Sequence, residues 1–206
     1  MRHTPGYVIT DPDEVKRLIR ENPWATIVST TTNGLVASHY PVILEEGDDI
    51  TIVSHVGRPD EKLHELGTSE VLVIIQGPHG YISPSWYDKG DFIPTWNHVT
   101  AHLYGTPEIL DDAENFRVLD DLVDHFEKQL PDPISLDIDE NSARRIAKGT
   151  VGIRLRVTRF DARLKLSQNK SPEVVDRIVT ALETPGPFAS PTLAAEMKRV
   201  HGDAAS

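Results

Sequence analysis

The dipeptide Asn33-Gly34 constrains the fold of this chain more than any other feature of its 206 residues. It lies between two runs rich in β-branched and apolar residues, 25–32 and 35–44. Such a pair between such runs predicts an antiparallel hairpin closed by a type I′ turn. A second hairpin is expected through 45–49 into 50–55. Three more strands are read at 70–76, 95–110 and 150–160, the first of them apolar enough to be buried on both faces. In the second, His98, Thr100 and His102 alternate with Val99, Ala101 and Leu103. In the third, Val151, Ile153, Leu155 and Val157 should face one way, with Arg154 and Arg156 facing the other.

Helices punctuate these strands. Asp11 caps the first, with Pro12 at the first helical position and Val15, Leu18 and Ile19 at helical spacing, and Asn22-Pro23 ends it. A short helix is expected at 61–66. A long amphipathic one follows Asp111 or Asp112, with Phe116, Leu119, Leu122, Val123, Phe126 and Leu130 on its apolar stripe. Others are expected at 140–147, at 171–182 and, as a short element, after the proline-rich turn 185–191. Six strands in largely antiparallel order exclude the βαβ alternation of a parallel sheet. The fold class is α+β: a closed or split antiparallel six-stranded β-barrel with peripheral helices. One barrel domain, 1–183, is expected to be followed by a tail, 184–206.

Composition limits the function. No apolar run reaches 18 residues, so no membrane-spanning helix is expected, and residues 1–17 lack the apolar core of a signal peptide. With no cysteine there is neither a disulfide framework nor a thiolate metal site, and the expected location is the cytoplasm. The 32 acidic residues outnumber 21 basic ones for a net charge of −11, which disfavours direct DNA binding.

Residues 74–104 hold Trp86 and Trp96, three of the five tyrosines and three of the nine histidines, mixed with Gly, Pro, Ser, Thr and Asn. That mixture suits either a cleft that stacks on a flat polar ligand or a strap that covers the core. Trp86 and Trp96, ten apart across a Gly-Asp turn, could flank one ring, with Gln76, Ser83, Ser85, Thr95 and Asn97 on its edges. No Gly-x-Ser-x-Gly elbow or His-Glu-x-x-His motif is present, and His98 and His102 on a strand stand too far apart for one metal. No metal site is expected. The turn His55-Val-Gly-Arg58-Pro-Asp-Glu-Lys62 runs from a strand end into a helix start, where free N–H groups, Arg58 and Lys62 could hold a phosphate. The alternative is that both cations are solvated and paired with Asp60, Glu61 or Glu65.

The phrases Gln76-Gly-Pro-His-Gly-Tyr-Ile-Ser-Pro-Ser-Trp-Tyr87, Pro94-Thr-Trp-Asn97 and Lys165-Leu-Ser-Gln-Asn169 resemble signature blocks of the PaiB-like family. Ser38-His39-Tyr40-Pro41 and His55-Val56 with Arg58 are similar to two earlier blocks. These proteins are FMN-binding negative transcriptional regulators with a split barrel akin to pyridoxamine-phosphate oxidase. The resemblance runs from about Tyr7 to Leu182. It implies an FMN-binding split barrel, usually a homodimer with flavin at the interface. Carried onto this chain, Ser38, His39, Tyr40 and Pro41, with Ser54, His55 and Val56, would lie along the flavin. Arg58 and Lys62 would reach its phosphate. Gln76, Trp86, Trp96 and the block holding Lys165, Gln168 and Asn169 would close the site. This sequence departs from the family after Arg58, where Pro59-Asp-Glu-Lys-Leu63 replaces the usual Ala-Asn-Pro with a tryptophan, and residues 184–206 match no block.

Three functions follow: a PaiB-like regulator that binds FMN, a flavin-dependent reductase or oxidase of a small substrate, and a haem-binding or haem-degrading split barrel. In the second, His39, His55 or His98 could supply a proton near neutral pH. No catalytic residue is assigned.

Overall fold

Helix α1 (Pro12–Glu21) forms as its sequence dictates, with Pro12 in the first turn and the Asp11 carboxylate accepting the Asp13 N–H at 2.9 Å. Val15, Leu18 and Ile19 are fully buried. The structure is a computed structural model, which describes residues 4–87 and 93–203. The Gly-Asp turn read between Trp86 and Trp96 lies outside the described residues.

Among the described residues nine strands, not six, are hydrogen-bonded in the order β1-β9-β6-β5-β2-β3-β4-β8-β7. They are β1 (Val8–Ile9), β2 (Trp24–Thr31), β3 (Gly34–Leu44), β4 (Thr51–Gly57), β5 (Val71–Ile82), β6 (Thr95–Gly105), β7 (Glu108–Ile109), β8 (Thr150–Arg156) and β9 (Arg159–Lys165). One addition, β1, is a two-residue edge too short to leave a periodic signal, and another, β7, is the end of the strand expected at 95–110, which breaks after Gly105. The third arises because the run expected as one strand breaks after Arg156. There Val157 N–H donates to Ile50 O and Thr158 N–H to Tyr104 O, both at 2.9 Å, and the chain turns away. The helices that follow α1 are α2 (Arg58–Leu63), α3 (Asp112–Glu127), α4 (Glu140–Ala147), α5 (Pro172–Glu183) and α6 (Pro191–Asp203). No helix among the described residues is long and apolar enough to cross a membrane.

The chain divides into two compact units, and β5 and β6 run through both. The larger holds residues 11–75 and 101–161. Its β2–β3 hairpin pairs from Thr31↔Gly34 to Trp24↔Pro41. The turn is not type I′, because only Gly34 (φ +110°) has positive φ there and Asn33 does not. The Thr31 hydroxyl accepts the Asn33 N–H at 3.2 Å and donates to Gly34 O at 2.9 Å, holding the asparagine in the ordinary half of φ space. Strand β5 pairs with β2 so that Val73 and Ile75 lie opposite Ile27 and Ala25, all four buried. Its Leu72 and Ile74 are only half-buried, so the expected two-faced burial is not found.

Helix α3 packs on β8 and β4 over a core of Ile43, Val53, Leu110, Val118 and Leu122. Its buried residues are Asn115, Val118 and Leu122, whereas Phe126 and Leu130, expected inside, are exposed. The rotation has a cause at Gly152, where a Cβ would stand 3.0 Å from Asn115 Cα. The helix seats its asparagine against the bare strand, and Asn115 donates to the Ala147 and Thr150 carbonyls at 3.0 and 3.3 Å.

The smaller unit combines residues 4–10, the described part of 76–100, and 162–203. In it β1 pairs with β9, and α5 packs on α6 around Ile178, Leu182, Leu193 and Met197, all essentially inaccessible. The final helix is thus a 13-residue, partly buried element rather than a short one.

Arg154, expected on the side of β8 opposite Ile153 and Leu155, is buried in the larger unit. Its guanidinium donates to Glu45 at 2.8 and 3.2 Å, to Glu114 at 2.8 Å and to Glu108 at 3.3 Å. The hydrogen bond from Arg154 is the main cause that holds the Glu45 carboxyl below its ordinary value of 4.5. That contribution is complete above pH 4.5 and is lost as pH falls through the depressed value. Arg154→Ala leaves three carboxylates without their shared cation and should cost about 3 kcal/mol in urea denaturation at pH 7. A loss below about 1 kcal/mol would show the cluster to be solvated.

Candidate functional site

Period-two geometry in β3 decides what the predicted site residues of the larger unit can reach. Ser38 and Tyr40 share the side of buried Val42, while His39 and Pro41 point the other way. A ring lying on one side of the sheet cannot meet all four side chains. On the inner side the structure builds a chain of hydrogen bonds that sequence reasoning missed. The Asp60 carboxylate on α2 accepts the Tyr40 hydroxyl at 2.7 Å and the Ser38 hydroxyl at 2.9 Å. Tyr40 Oη accepts the Gly57 N–H at 3.3 Å. Buried His64, just past α2, lies between Ser38 Oγ, 3.0 Å from Nε2, and Ser29 Oγ, 2.8 Å from Nδ1.

Proton inventory assigns the roles. Ser38 gives its only proton to Asp60, so His64 Nε2–H must donate to Ser38, and neutral Nδ1 accepts from Ser29. Hydrogen bonds from Tyr40 and then Ser38 hold Asp60 below its ordinary value, which keeps it ionised. Burial, and then Asp60, push Tyr40 up. Burial pulls His64 down, partly offset by Asp60. The four-residue step from Asp60 to His64 was visible in the sequence; their meeting with Ser38 and Ser29 across 22 to 35 residues was not.

The 55–62 turn differs from the expected cradle. Helix α2 begins at Arg58, and the Arg58 N–H is already given to Gly149 O at 3.1 Å. The Arg58 side chain donates from Nε to Lys148 O at 2.6 Å and lies 3.7 Å from Asp112. Lys62 is exposed. Ser54 donates to the Pro41 carbonyl at 2.7 Å, and Val56 is core. His55 is half-buried, its Nε2 buried without a partner among the described residues, and burial lowers its pKa.

The outer side of the same strands is apolar and open. The register sets Trp24 beside Pro41, Thr26 beside His39 and Ile74, Val28 beside Ala37 and Leu72, and Thr30 beside Leu35. Leu35 is 78% and Trp24 63% exposed. Trp24 and His39 stack with ring centres 6.5 Å apart and planes at 16°.

The remaining predicted residues lie in the smaller unit. Lys165 donates to Thr95 Oγ1 and to Trp96 O, the latter at 2.8 Å. Exposed Gln76 reaches the His79 ring at 3.3 Å. Gln168 turns back on its own loop, accepting Leu166 N–H at 2.7 Å and donating to Leu164 O at 2.5 Å, and Asn169 is exposed. The loop passes through Ser167 at φ +65°, whose hydroxyl accepts from Asn97 Nδ2 at 3.0 Å. Trp96 is 57% exposed and meets Tyr81 edge-on at 6.1 Å; Tyr81 in turn packs on Phe188 at 4.8 Å. Trp86 lines a separate cavity of about 400 Å³ with the 184–189 turn, its carbonyl accepting from Arg177 at 3.2 Å. A larger cavity of about 610 Å³ lies beside α3, lined by Glu45, Arg117, Asp121 and His125 among others and by none of the predicted residues. Among the described residues no cluster of three or more His, Asp or Glu could hold a metal.

Because burial keeps His64 below its ordinary value of 6.5, the unfolded chain takes its proton first on acidification. Stability should therefore fall as pH drops below 6.5, down to the folded value. His64→Gln should flatten part of that fall in urea titrations at pH 7.5 and 5.5, and an unchanged slope would contradict the buried neutral imidazole.

Comparison with known proteins adds the family. Residues 1–159 match the family described as "Putative FMN-binding domain". Protease synthase and sporulation protein PAI 2 of Bacillus subtilis is 31% identical over 186 residues, covering 88% of this chain and 89% of that protein. Two solved structures share the fold. One is the FAD and heme binding protein of Mycobacterium smegmatis, with TM-score 0.59 and 18% identity over 88% of this chain and 81% of that one. The other is the flavocytochrome Anf3 of Azotobacter vinelandii, with TM-score 0.61 and 13% identity over 85% and 78%. This chain belongs to the same FMN-binding family as the Bacillus protein, and FMN is the cofactor that goes with it.

Proposed function

We propose that this protein is a PaiB-like, FMN-binding split barrel that works as a homodimer and as a negative transcriptional regulator. The observation that carries the reading is the outer side of β5–β2–β3. An antiparallel sheet with one side on the core normally presents polar residues on the other. Here Trp24, Val28, Leu35, Ala37, Leu72 and Ile74 stand there instead, and such a surface calls for cover. The flat, parallel Trp24–His39 pair suits an aromatic ring, and the apolar strip around it suits a second copy of the chain. His55 Nε2, buried and without a partner, is a polar group that a ligand edge could satisfy. FMN, when bound, supplies a redox-active ring, and the chain supplies its seat and its orientation. The Bacillus relative's part in protease synthesis and sporulation, stated in its name, supports a regulatory role. With a net charge of −11, regulation would run through a protein partner rather than through DNA held directly.

Titration of the purified protein with FMN should shift the flavin visible bands with micromolar affinity. Leu35→Asp should weaken FMN binding and shift the protein to monomers in light scattering. A Leu35→Asp protein that stays dimeric and binds FMN as before would overturn the assignment of this surface.

A flavin-dependent oxidoreductase is the second reading. It is favoured by the Ser29–His64–Ser38–Asp60–Tyr40 chain, which links a buried imidazole to a tyrosine hydroxyl. Bleaching of bound FMN by NADH or NADPH, with reoxidation by a small acceptor, would decide for the enzyme. Flavin that stays oxidised across a broad panel would decide for the regulator.

A further inference from the structure

In the smaller unit the neighbouring strands β9, β6 and β5 carry Lys165, His98 and His79. Lys165 is half-buried, and two oxygens aim its ammonium, Thr95 Oγ1 and Trp96 O. An ammonium has three protons, so one is spare. His98 is half-buried, its Nδ1 3.4 Å from Thr100 Oγ1, and His79 Nδ1 lies 3.1 Å from Gly77 O. Burial, and then the charges of Lys165 and His79, hold His98 below its ordinary value. Burial lowers Lys165 as well. No carboxylate among the described residues pairs with any of the three. In a chain with 32 acidic and 21 basic residues, a half-buried ammonium beside two imidazoles with no carboxylate partner is an unusual arrangement, and the ammonium disfavours a charged His98. An oxyanion placed among them would relieve both the mutual repulsion and the desolvation of the ammonium.

We propose that Lys165, His98 and His79 form a binding site for a small oxyanion, phosphate or carboxylate, with the spare Lys165 N–H and the two imidazoles as donors. The turn at Arg58 offers less to an anion. Its guanidinium and its N–H are spent on Lys148, Gly149 and Asp112, and the ionised Asp60 carboxylate sits two residues on. The anion could be the phosphate of FMN, an arm that rests on the flavin reading above, or a separate oxyanion ligand.

The test uses the full chain with inorganic phosphate as the probe, following the imidazole proton resonances by NMR with and without FMN. His79→Gln and His98→Gln supply the assignments. Phosphate should raise the apparent pKa of both histidines. Lys165→Gln, which keeps a donor for Thr95 or Trp96, should abolish the response, and Arg58→Gln should leave it intact. If FMN suppresses the response, and Lys165→Gln lowers the preference for FMN over riboflavin about ten- to a hundred-fold, the anion is the flavin phosphate. If the response survives in the FMN-loaded protein, the site takes a separate oxyanion. A response in a protein that binds neither flavin would sink the flavin reading and leave the anion site standing. Histidines that ignore phosphate in the flavin-free wild type, or a response lost in Arg58→Gln and kept in Lys165→Gln, would overturn the proposal.

Discussion

The eleven residues of β3 can face only two ways, and that alternation organises the larger unit. The strand is hydrogen-bonded to β2 along residues 34–41 and to β4 along 42–44, so neither edge is free to adjust its register over its length. A slip of one residue would carry Ser38 and Tyr40 out to solvent and drive His39 into the core. With the register pinned, the inner side must hold polar atoms in partnership, and the outer side is left apolar and open. The hydrogen-bonded chain around His64 and the Trp24–His39 pair are the two outcomes of one constraint.

Charge is distributed with the same economy. Part of the acidic excess is gathered where a single cation bridges several carboxylates, as Arg154 does for Glu45, Glu108 and Glu114. Arg58 ties α2 to the end of α4 and to Asp112 instead of facing open space. Set against those satisfied cations, the Lys165 ammonium is held by two neutral oxygens and has no carboxylate partner among the described residues. A cation fully paired with carboxylates speaks for structure, and a half-buried one that lacks them speaks for a ligand.

Much of this was legible in the sequence wherever the signal was local. Asp11 and Pro12 start α1, Asp111 starts α3 and accepts the Ala113 and Glu114 N–H groups, and the alternation through Val99, Ala101 and Leu103 is found in β6. The family blocks led to FMN through short phrases that need no fold to be read. What failed depended on contacts distant in sequence. The buried side of α3 is set by Gly152, which lies 37 residues beyond Asn115 and leaves no trace in the helix periodicity. Arg154 is inside because three glutamates from separate elements converge on it, which an alternation rule cannot foresee. His64 went unnoticed because its partners, Ser29 and Ser38, belong to strands that precede it by a full hairpin.

The seat of the flavin is the claim on which the functional account stands, and a crystal structure of the protein grown with FMN tests it most directly. Flavin density on the outer side of β5–β2–β3, against Trp24 and His39, is the predicted result. Flavin density that leaves this surface bare, with Leu35 and Trp24 still in solvent, would contradict it.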